Sequence, residues 1–334
     1  MPRPSGAAWR RGGGRVAQYA LVLLVAVSLN FAIPRLAPGT PIDYLVPSEQ
    51  VATITPEQRE RVLAQFGLEK PLLEQYRLYL TGILRGDLGI SAQQGRPVVD
   101  MLLERLPWTL VLVGGAITLS TVIGGGAGFL SAARRGGRTE AWGLALFMFL
   151  DSMPPFWIGL LLLVFFSGYL DLLPVFGALP TSGAAGGFGL TLEFAQRLVL
   201  PLATLTMVRA GWLFLVARSS LAGELSEDYI LMAEAKGLSR RQVVLGHGVR
   251  NALLPLVTAV AVEVGTVVGG ATVVETVFSY PGLGRLIYES VLSRDYAVLQ
   301  GAFLLLAVGV ILANLLADLL YPIIDPRVRA ETAR

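Results

Sequence analysis

Cysteine is absent from the sequence, and histidine occurs once, at His247. The first absence excludes disulfide bonds and thiolate metal sites, and the second excludes a metal site built from several histidines. Charge is also scarce: charged residues make up 15% of the 334 residues against 54% hydrophobic residues, and the mean hydropathy is +0.62. Such a composition is typical of an integral membrane protein. The net charge of +3 is modest, so we interpret the basic residues as topology signals and not as a nucleic-acid surface.

Motifs of several enzyme classes are missing as well. The chain has no Gly-x-x-x-x-Gly-Lys-Ser/Thr phosphate loop, so we do not expect it to bind ATP in that way. It has no His-Glu-x-x-His zinc motif and no Gly-x-Ser-x-Gly nucleophile elbow. These absences disfavour a membrane-embedded enzyme, and we predict no catalytic residue, cofactor or metal site in this chain.

Long apolar segments predict an all-α integral membrane protein with six transmembrane helices. The first segment ends at Pro34 and is just long enough to cross the hydrocarbon core, so we interpret it as an uncleaved span. The third contains Pro154-Pro155, which predicts a kink or the start of a new helix there. Lys and Arg concentrate in the segments that are inside when both termini are cytoplasmic. The predicted spans are residues 16–33, 106–133, 141–166, 198–216, 253–274 and 298–324.

A polar stretch, residues 37–105, separates the first two spans. Thr55 is expected to cap a helix with Pro56 at its first position and Gln58 closing a capping box, and Gly67 is expected to end it. A second helix is predicted from Pro71 to near Gly86. We therefore divide the chain into 1–36 (N-terminus and first span), 37–105 (a small helical extracytoplasmic insert) and 106–334 (a five-helix core).

The longest polar interruption in the second half is residues 224–255, within a cytoplasmic loop at 218–252. Ser226 is predicted to cap a short helix that runs to Lys236, and Gly237 to end it in a left-handed conformation. Ser239 and Gln242 form a capping box for a second helix. These local signals predict two short helices joined by a glycine between two spans. An ordinary helical connecting loop would show the same signals.

The residues of this loop carry a resemblance. Ala233-x-Ala235-Lys236-Gly237-Leu238, followed by His247, Arg250-Asn251 and Leu254-Pro255, resemble the cytoplasmic coupling loop of ABC importer permeases, most closely the dipeptide/oligopeptide/nickel branch. The general motif opens Glu-Ala-Ala, where this chain has Leu231-Met232-Ala233. Further blocks similar to the branch are PGTP, QYRLYLTGILRGDLG, DSMPPFWIGLLL and ETVFSYPGLGRLIYESVLSRDYAVLQG, so the likeness runs from about residue 20 to residue 329.

The resemblance implies a transmembrane permease subunit of an ATP-driven importer in the cytoplasmic (inner) membrane, working by alternating access. It implies four kinds of partner: a homologous second permease, two ATP-binding subunits that hold ATP and Mg, an extracytoplasmic solute-binding protein, and the lipid bilayer. Members of the branch carry dipeptides, oligopeptides, glutathione or nickel chelates, so the substrate stays open. The resemblance assigns ATPase coupling to Asp228, Tyr229, Ala233, Glu234, Ala235, Lys236, Gly237 and Leu238.

The alternative function is an ion-gradient-driven secondary transporter. Such a protein would be expected to show an internal repeat, with broken helices at matching positions of both halves. We find no such repeat in the sequence, and the polar insert occurs in the first half alone.

Two ionisable residues fall deep within predicted spans, where a charge is costly unless it meets a partner or a wet cavity. Arg209 lies in the fourth span and Glu263 in the fifth. Either the two neutralise each other, or one or both line the substrate pathway and meet the charged termini of a peptide. Asp151 and Asp318 are expected at span ends, and His247 in a packing or interface role. Asp43, Glu275 and Tyr280 are assigned no chemistry.

Overall fold

The computed structural model describes residues 6–36, 54–65, 69–174 and 192–324. Within those residues the regular structure is helical, apart from one isolated antiparallel bridge between Ile90 and Pro97. We number the helices α1 Gly6–Leu36, α2 Pro56–Gln65, α3 Leu72–Leu84, α4 Val98–Ala133, α5 Arg138–Ser152, α6 Pro155–Tyr169, α7 Leu192–Glu224, α8 Asp228–Ala235, α9 (residues 240–277), α10 Leu283–Leu292 and α11 Tyr296–Ile324.

Four of these helices, α4, α7, α9 and α11, are long and apolar enough to cross a membrane. The pair α5 and α6 supplies a fifth crossing if the two together form one span, although their axes differ by 102°. In α1 the apolar part covers Ala17–Ile33. The all-helical membrane architecture that the sequence predicts is therefore confirmed for four to five spans.

The third predicted span is broken at its prolines. Met153 and Pro154 both have extended backbones, with ψ of 134° and 136°, and Pro155 is the first residue of α6. A proline disfavours the helical conformation of the residue before it, so two successive prolines remove two residues from the helix. Of the two outcomes predicted there, the start of a new helix is the correct one.

Some helices extend beyond the predicted spans. Helix α4 begins at Val98, eight residues before the predicted start at 106, and α1 continues through Pro34 to Leu36. Val98, Met101 and Leu102 are buried at the i, i+3, i+4 spacing of one helix face, which explains why the polar residues between them do not end the helix. Prolines at 107, 201 and 255 also lie inside helices.

The chain forms two compact units, of which the first contains residues 1–106 and 286–311. Here the predicted capping box is present: the Thr55 amide donates to Gln58 Oε1 at 2.9 Å, and the Gln58 amide donates to Thr55 Oγ1 at 3.3 Å. Helix α3 starts directly after Pro71, as predicted, and packs Tyr79 against Phe31 of α1, with ring centroids 5.5 Å apart. Gly67, expected to end α2, lies outside the described residues.

The second unit contains residues 107–285 and 312–334, and α7 lies at its centre. Helix α7 buries Ala210, Leu213, Phe214 and Ala217 completely or nearly so. Its backbone passes so close to α4 that a side chain at Gly128 would collide with the carbonyl oxygen of Phe214. The two long helices therefore touch backbone to backbone at this point.

A buried carboxylate organises the segment that follows α9. Glu275 is fully buried; its Oε1 accepts a hydrogen bond from Thr109 Oγ1 at 2.7 Å, and its Oε2 accepts one from the Arg285 amide at 3.1 Å. The carboxylate lies against Gly282, where an added Cβ would overlap it. Glu275 and the buried Tyr280, to which the sequence assigned no chemistry, therefore belong to the folded core.

Candidate functional site

The short helix α8 joins the two long helices α7 and α9 on the side of the chain predicted to be cytoplasmic. Its N-cap is Glu227, with ψ of 149° and no side-chain capping bond. The prediction that Ser226 caps it is wrong, because the N-cap position falls one residue later. The Ser226 hydroxyl donates to the Gly223 carbonyl oxygen at 2.6 Å. That carbonyl belongs to the last turn of α7, so the serine satisfies the end of the preceding helix.

The C-terminus of α8 is closed by a Schellman motif. Gly237 has φ of +81°, the left-handed conformation predicted for it. Its amide donates to the Glu234 carbonyl at 2.9 Å, and the Leu238 amide donates to the Ala233 carbonyl at 3.4 Å. Four of the predicted coupling residues thus form the helix end itself, which gives α8 a defined length.

Helix α8 has a buried face and an exposed face. Ile230 and Ala233 are buried and form a cluster with Val243, against which Leu225 and Leu238 pack. Leu231 and Met232 point the other way, with 60% and 65% of their surfaces exposed. The remaining predicted coupling residues, Asp228, Tyr229, Glu234, Ala235 and Lys236, are also exposed. The helix therefore presents an apolar patch flanked by charges.

The second helix of the loop is not separate. The predicted capping box of Ser239 and Gln242 is present, with the Ser239 amide donating to Gln242 Oε1 at 2.9 Å. The helix then continues through a wider π-type turn, Val243–Gly248, directly into Val249–Val277. The capping box consequently starts the long helix α9, and His247 is exposed on its first turns.

Three polar side chains tie α8 to both long helices. The Tyr229 hydroxyl of α8 donates a hydrogen bond to Glu224 Oε2 at the end of α7. Asn251 of α9 donates to the Tyr229 hydroxyl at 3.0 Å and to Glu224 Oε2 at 3.4 Å. Partial desolvation, followed by the bond to Glu224, raises the pKa of Tyr229 above its ordinary value. We call these three residues the Tyr229 link.

Arg209 and Glu263, the two charges predicted deep inside spans, lie together. Arg209 Nη1 donates to Glu263 Oε1 at 2.7 Å, which joins α7 to α9. Both residues also line a cavity of about 280 Å³, shared with Asp151, Trp212 and the apolar walls Leu205 and Val208. The pairing predicted as one alternative is present, and it occurs at a cavity wall.

Asp151 reaches this cavity because α5 ends against α7. At Gly211 an added Cβ would lie 2.6 Å from both Asp151 Cβ and the Phe147 carbonyl oxygen, so the two backbones touch there. Asp151 is exposed and lies in the last turn of α5, just before the break between α5 and α6. It is thus at a helix end, but inside the bent pair that would form one span. The side chain of Asp318 lies outside the described residues.

Known proteins resemble this chain along most of its length. The family described as binding-protein-dependent transport system inner membrane component matches residues 124–330. The dipeptide transport system permease protein DppB of Escherichia coli (strain K12) is 37% identical over 318 residues, covering 90% of this chain and 93% of that protein. The chain belongs to this family of ABC importer permeases.

Two further permeases are similar to a comparable extent. The glutathione transport system permease protein GsiC of Pectobacterium atrosepticum is 38% identical over 307 residues, covering 92% of this chain and 94% of that protein. The oligopeptide transport system permease protein AppB of Bacillus subtilis (strain 168) is 35% identical over 314 residues, covering 92% and 95%. The resemblance to the dipeptide/oligopeptide branch is thereby confirmed.

The permease fold is also found among solved structures. A chain of the MetNI methionine ABC transporter, in inward facing conformations, superposes with a TM-score of 0.55 at 19% identity, covering 67% of this permease and 96% of that chain. At this identity the comparison concerns the fold alone.

Some of the residues that define the site were not singled out as site residues from the sequence. Glu224 and Asn251 carried no site prediction, although Asn251 fell inside the quoted loop motif, and Trp212 carried none at all. Asp151 was placed at a span end, without the cavity. The hydrogen bonds of Asn251 to Tyr229 and Glu224 join positions that are 22 and 27 residues apart, and a local sequence pattern does not predict contacts over such distances.

Proposed function

We propose that this permease is one of two transmembrane subunits of an ATP-driven importer for peptides or a related small solute. It forms half of the translocation pathway and has no ATPase site of its own. ATP and Mg are held by two partner subunits on the cytoplasmic side, and an extracytoplasmic binding protein delivers the solute. The named substrates of its relatives, dipeptides, oligopeptides and glutathione, support this solute class.

The observation that carries the proposal is the construction of α8. The buried face and the Schellman motif fix the helix in length and position, while Leu231 and Met232 stay exposed at its surface. An apolar patch of this kind on a short, rigid helix is suited to insertion into a groove of another protein. The Tyr229 link then passes a displacement of α8 to both α7 and α9.

We propose six membrane crossings with both termini in the cytoplasm. The four long helices and the bent pair account for five, and the apolar part of α1, Ala17–Ile33, would be the sixth. About 17 residues of helix span about 26 Å at 1.5 Å per residue, close to the thickness of a hydrocarbon core. The excess of Lys and Arg in the inner segments supports this orientation.

The test is a pull-down of the tagged permease from membranes in mild detergent, with identification of the bound chains and an ATP hydrolysis assay. The variant Leu231→Asp/Met232→Asp changes the exposed face of α8 alone. The matched control, Leu73→Asp, changes a leucine that is 80% exposed in the extracytoplasmic insert. We expect an ATPase and a second permease with the wild type and with the control, and loss of the ATPase from the α8 variant.

Two results would contradict the proposal. One is a wild-type permease that purifies without an ATPase. The other is solute uptake into vesicles that is driven by an ion gradient without ATP, which would indicate the secondary transporter.

A further inference from the structure

The ion pair at the cavity wall is asymmetric. The Arg209 side chain is 21% exposed, whereas that of Glu263 is 2% exposed. Both side chains line the cavity, and the guanidinium of Arg209 is the more exposed of the two charged groups. A guanidinium has five N–H donors in a planar fork, and the bond to Glu263 engages Nη1. The cavity therefore presents the guanidinium of Arg209, whose charge is balanced by the more buried carboxylate of Glu263.

A negative group lines the same cavity from a different helix. Asp151 belongs to the last turn of α5, and Gly211 lets that turn approach α7 two residues from Arg209. In the part of the chain that the structure describes, the Asp151 carboxylate has neither a hydrogen bond nor an ion pair. An exposed carboxylate of this kind is available to a cation in the cavity.

The rest of the wall is apolar and limits the ligand size. Trp212 offers a partly exposed aromatic surface, and Leu205 and Val208 line the space between the charges. A volume of about 280 Å³ lies near the lower end of the range of ligand pockets, about 300–1,000 Å³. The space suits a small solute with opposite charges at its two ends.

We propose that this cavity is a binding subsite for a small zwitterion, such as a short peptide with free termini. Its carboxylate binds Arg209 and its ammonium group binds Asp151, while Glu263 positions Arg209. The proposal rests on the proposed function, since it assigns the solute class of that importer. It also explains why a buried ion pair is kept within the membrane: Glu263 compensates Arg209 while the subsite is empty.

A variant that tests the subsite must not leave either member of the Arg209–Glu263 pair as an unpaired buried charge. Removing Arg209 alone would leave Glu263 as a buried charge without its partner, and the protein could fail to fold for that reason. The double variant Arg209→Gln/Glu263→Gln leaves two neutral amides that can hydrogen-bond to each other. Asp151→Asn tests the other end of the ligand at an exposed position. The control Glu140→Gln removes the acidic partner of Arg218, in a second ion pair between α5 and α7 that does not line the cavity.

The experiment is equilibrium dialysis of the purified complex, prepared without the binding protein so that the permease alone selects the ligand. The probes are alanyl-alanine, its C-terminal amide and its N-acetyl derivative. For the wild type and for Glu140→Gln we expect the free dipeptide to bind about tenfold more tightly than either capped form. The double variant should lose the preference over the amide, and Asp151→Asn the preference over the N-acetyl form.

Different binding results would overturn different parts of this proposal. A wild-type complex that binds none of the probes, or binds all three equally, overturns the subsite. A double variant that is folded and still prefers the free carboxylate overturns the role of Arg209. Co-purification of the ATPase is scored on the same preparation, so a failure of the proposed function is seen separately from a failure of the subsite.

Discussion

Asn251 donates a hydrogen bond from its side-chain amide to the hydroxyl of Tyr229 at 3.0 Å, which connects α9 to α8. Tyr229 in turn donates to Glu224, the last residue of α7. The short helix is thus joined to two long helices through one residue near its own N-terminus. These two long helices also carry the Arg209–Glu263 pair.

Replacing Tyr229 with phenylalanine should uncouple this connection without removing the helix. We expect stability to fall by about 1 kcal/mol or less, because the lost hydrogen bonds are near the surface. The complex should still hydrolyse ATP but import less solute for each ATP consumed. The measurement is the ratio of uptake to hydrolysis in proteoliposomes that contain the complete importer.

The matched control for this variant is Tyr288→Phe, which changes an exposed tyrosine of α10. It should leave the ratio of uptake to hydrolysis unchanged. A Tyr229→Phe importer with the wild-type ratio would show that the link does not transmit motion.

Local motifs account for most of what the sequence predicted correctly. The capping boxes at Thr55–Gln58 and Ser239–Gln242, and the left-handed Gly237, depend on contacts within three to five residues. The capping prediction at Ser226 is wrong by one position, because α8 begins at Asp228 and its N-cap is Glu227. The Ser226 hydroxyl instead donates to the Gly223 carbonyl, a local bond to the preceding helix that competes with a capping role.

Gly237 should be sensitive to a change as small as Gly237→Ala. No atom lies within 4 Å of the added Cβ, so the effect comes from the backbone, whose φ of +81° an L-residue rarely adopts. We expect the midpoint of thermal unfolding to fall, with a loss of about 1 kcal/mol. The control is Gly223→Ala in α7, which also has open space and a helical backbone, and which should be neutral or slightly stabilising. Equal effects at the two positions would contradict the backbone argument.

Long-range packing accounts for what the sequence could not supply. The start of α4 at Val98 depends on a buried face formed with residues from elsewhere in its unit, including Gly301. The cavity depends on Asp151 of α5 meeting α7 at Gly211. The depth of Arg209 and Glu263 in the predicted spans marks them as unusual. Whether the two side chains pair with each other or line a cavity depends on the relative positions of α7 and α9, which the sequence does not give.

Two glycines of α4 should respond oppositely to the same substitution. Gly128→Ala places a methyl group against the Phe214 carbonyl and the Arg218 amide nitrogen of α7, which are backbone atoms and cannot rotate away. We expect a loss of about 1–3 kcal/mol and a lower yield of the folded chain in detergent. Gly126→Ala, two residues earlier in the same helix, meets nothing within 4 Å and should be neutral or stabilising. If Gly128→Ala were equally well tolerated, the close contact of α4 and α7 would be wrong.

Glu275→Gln should destabilise the segment between α9 and α10, although the two side chains have nearly the same shape. Both carboxylate oxygens accept hydrogen bonds, from Thr109 Oγ1 and from the Arg285 amide. A glutamine amide has one acceptor oxygen and one donor nitrogen. With the oxygen on the Arg285 amide, the nitrogen faces Thr109 Oγ1, which already accepts from the Leu283 amide and whose hydroxyl proton then loses its buried acceptor. A buried polar group without its partner costs about 1–3 kcal/mol, which should appear as a lower unfolding temperature.

The matched control is Glu104→Gln, at an exposed carboxylate that pairs with Arg96 and should contribute about 1 kcal/mol or less. Both variants remove one carboxylate charge, so the difference between them reports the buried hydrogen bonds of Glu275. Equal unfolding temperatures for the two would contradict those hydrogen bonds.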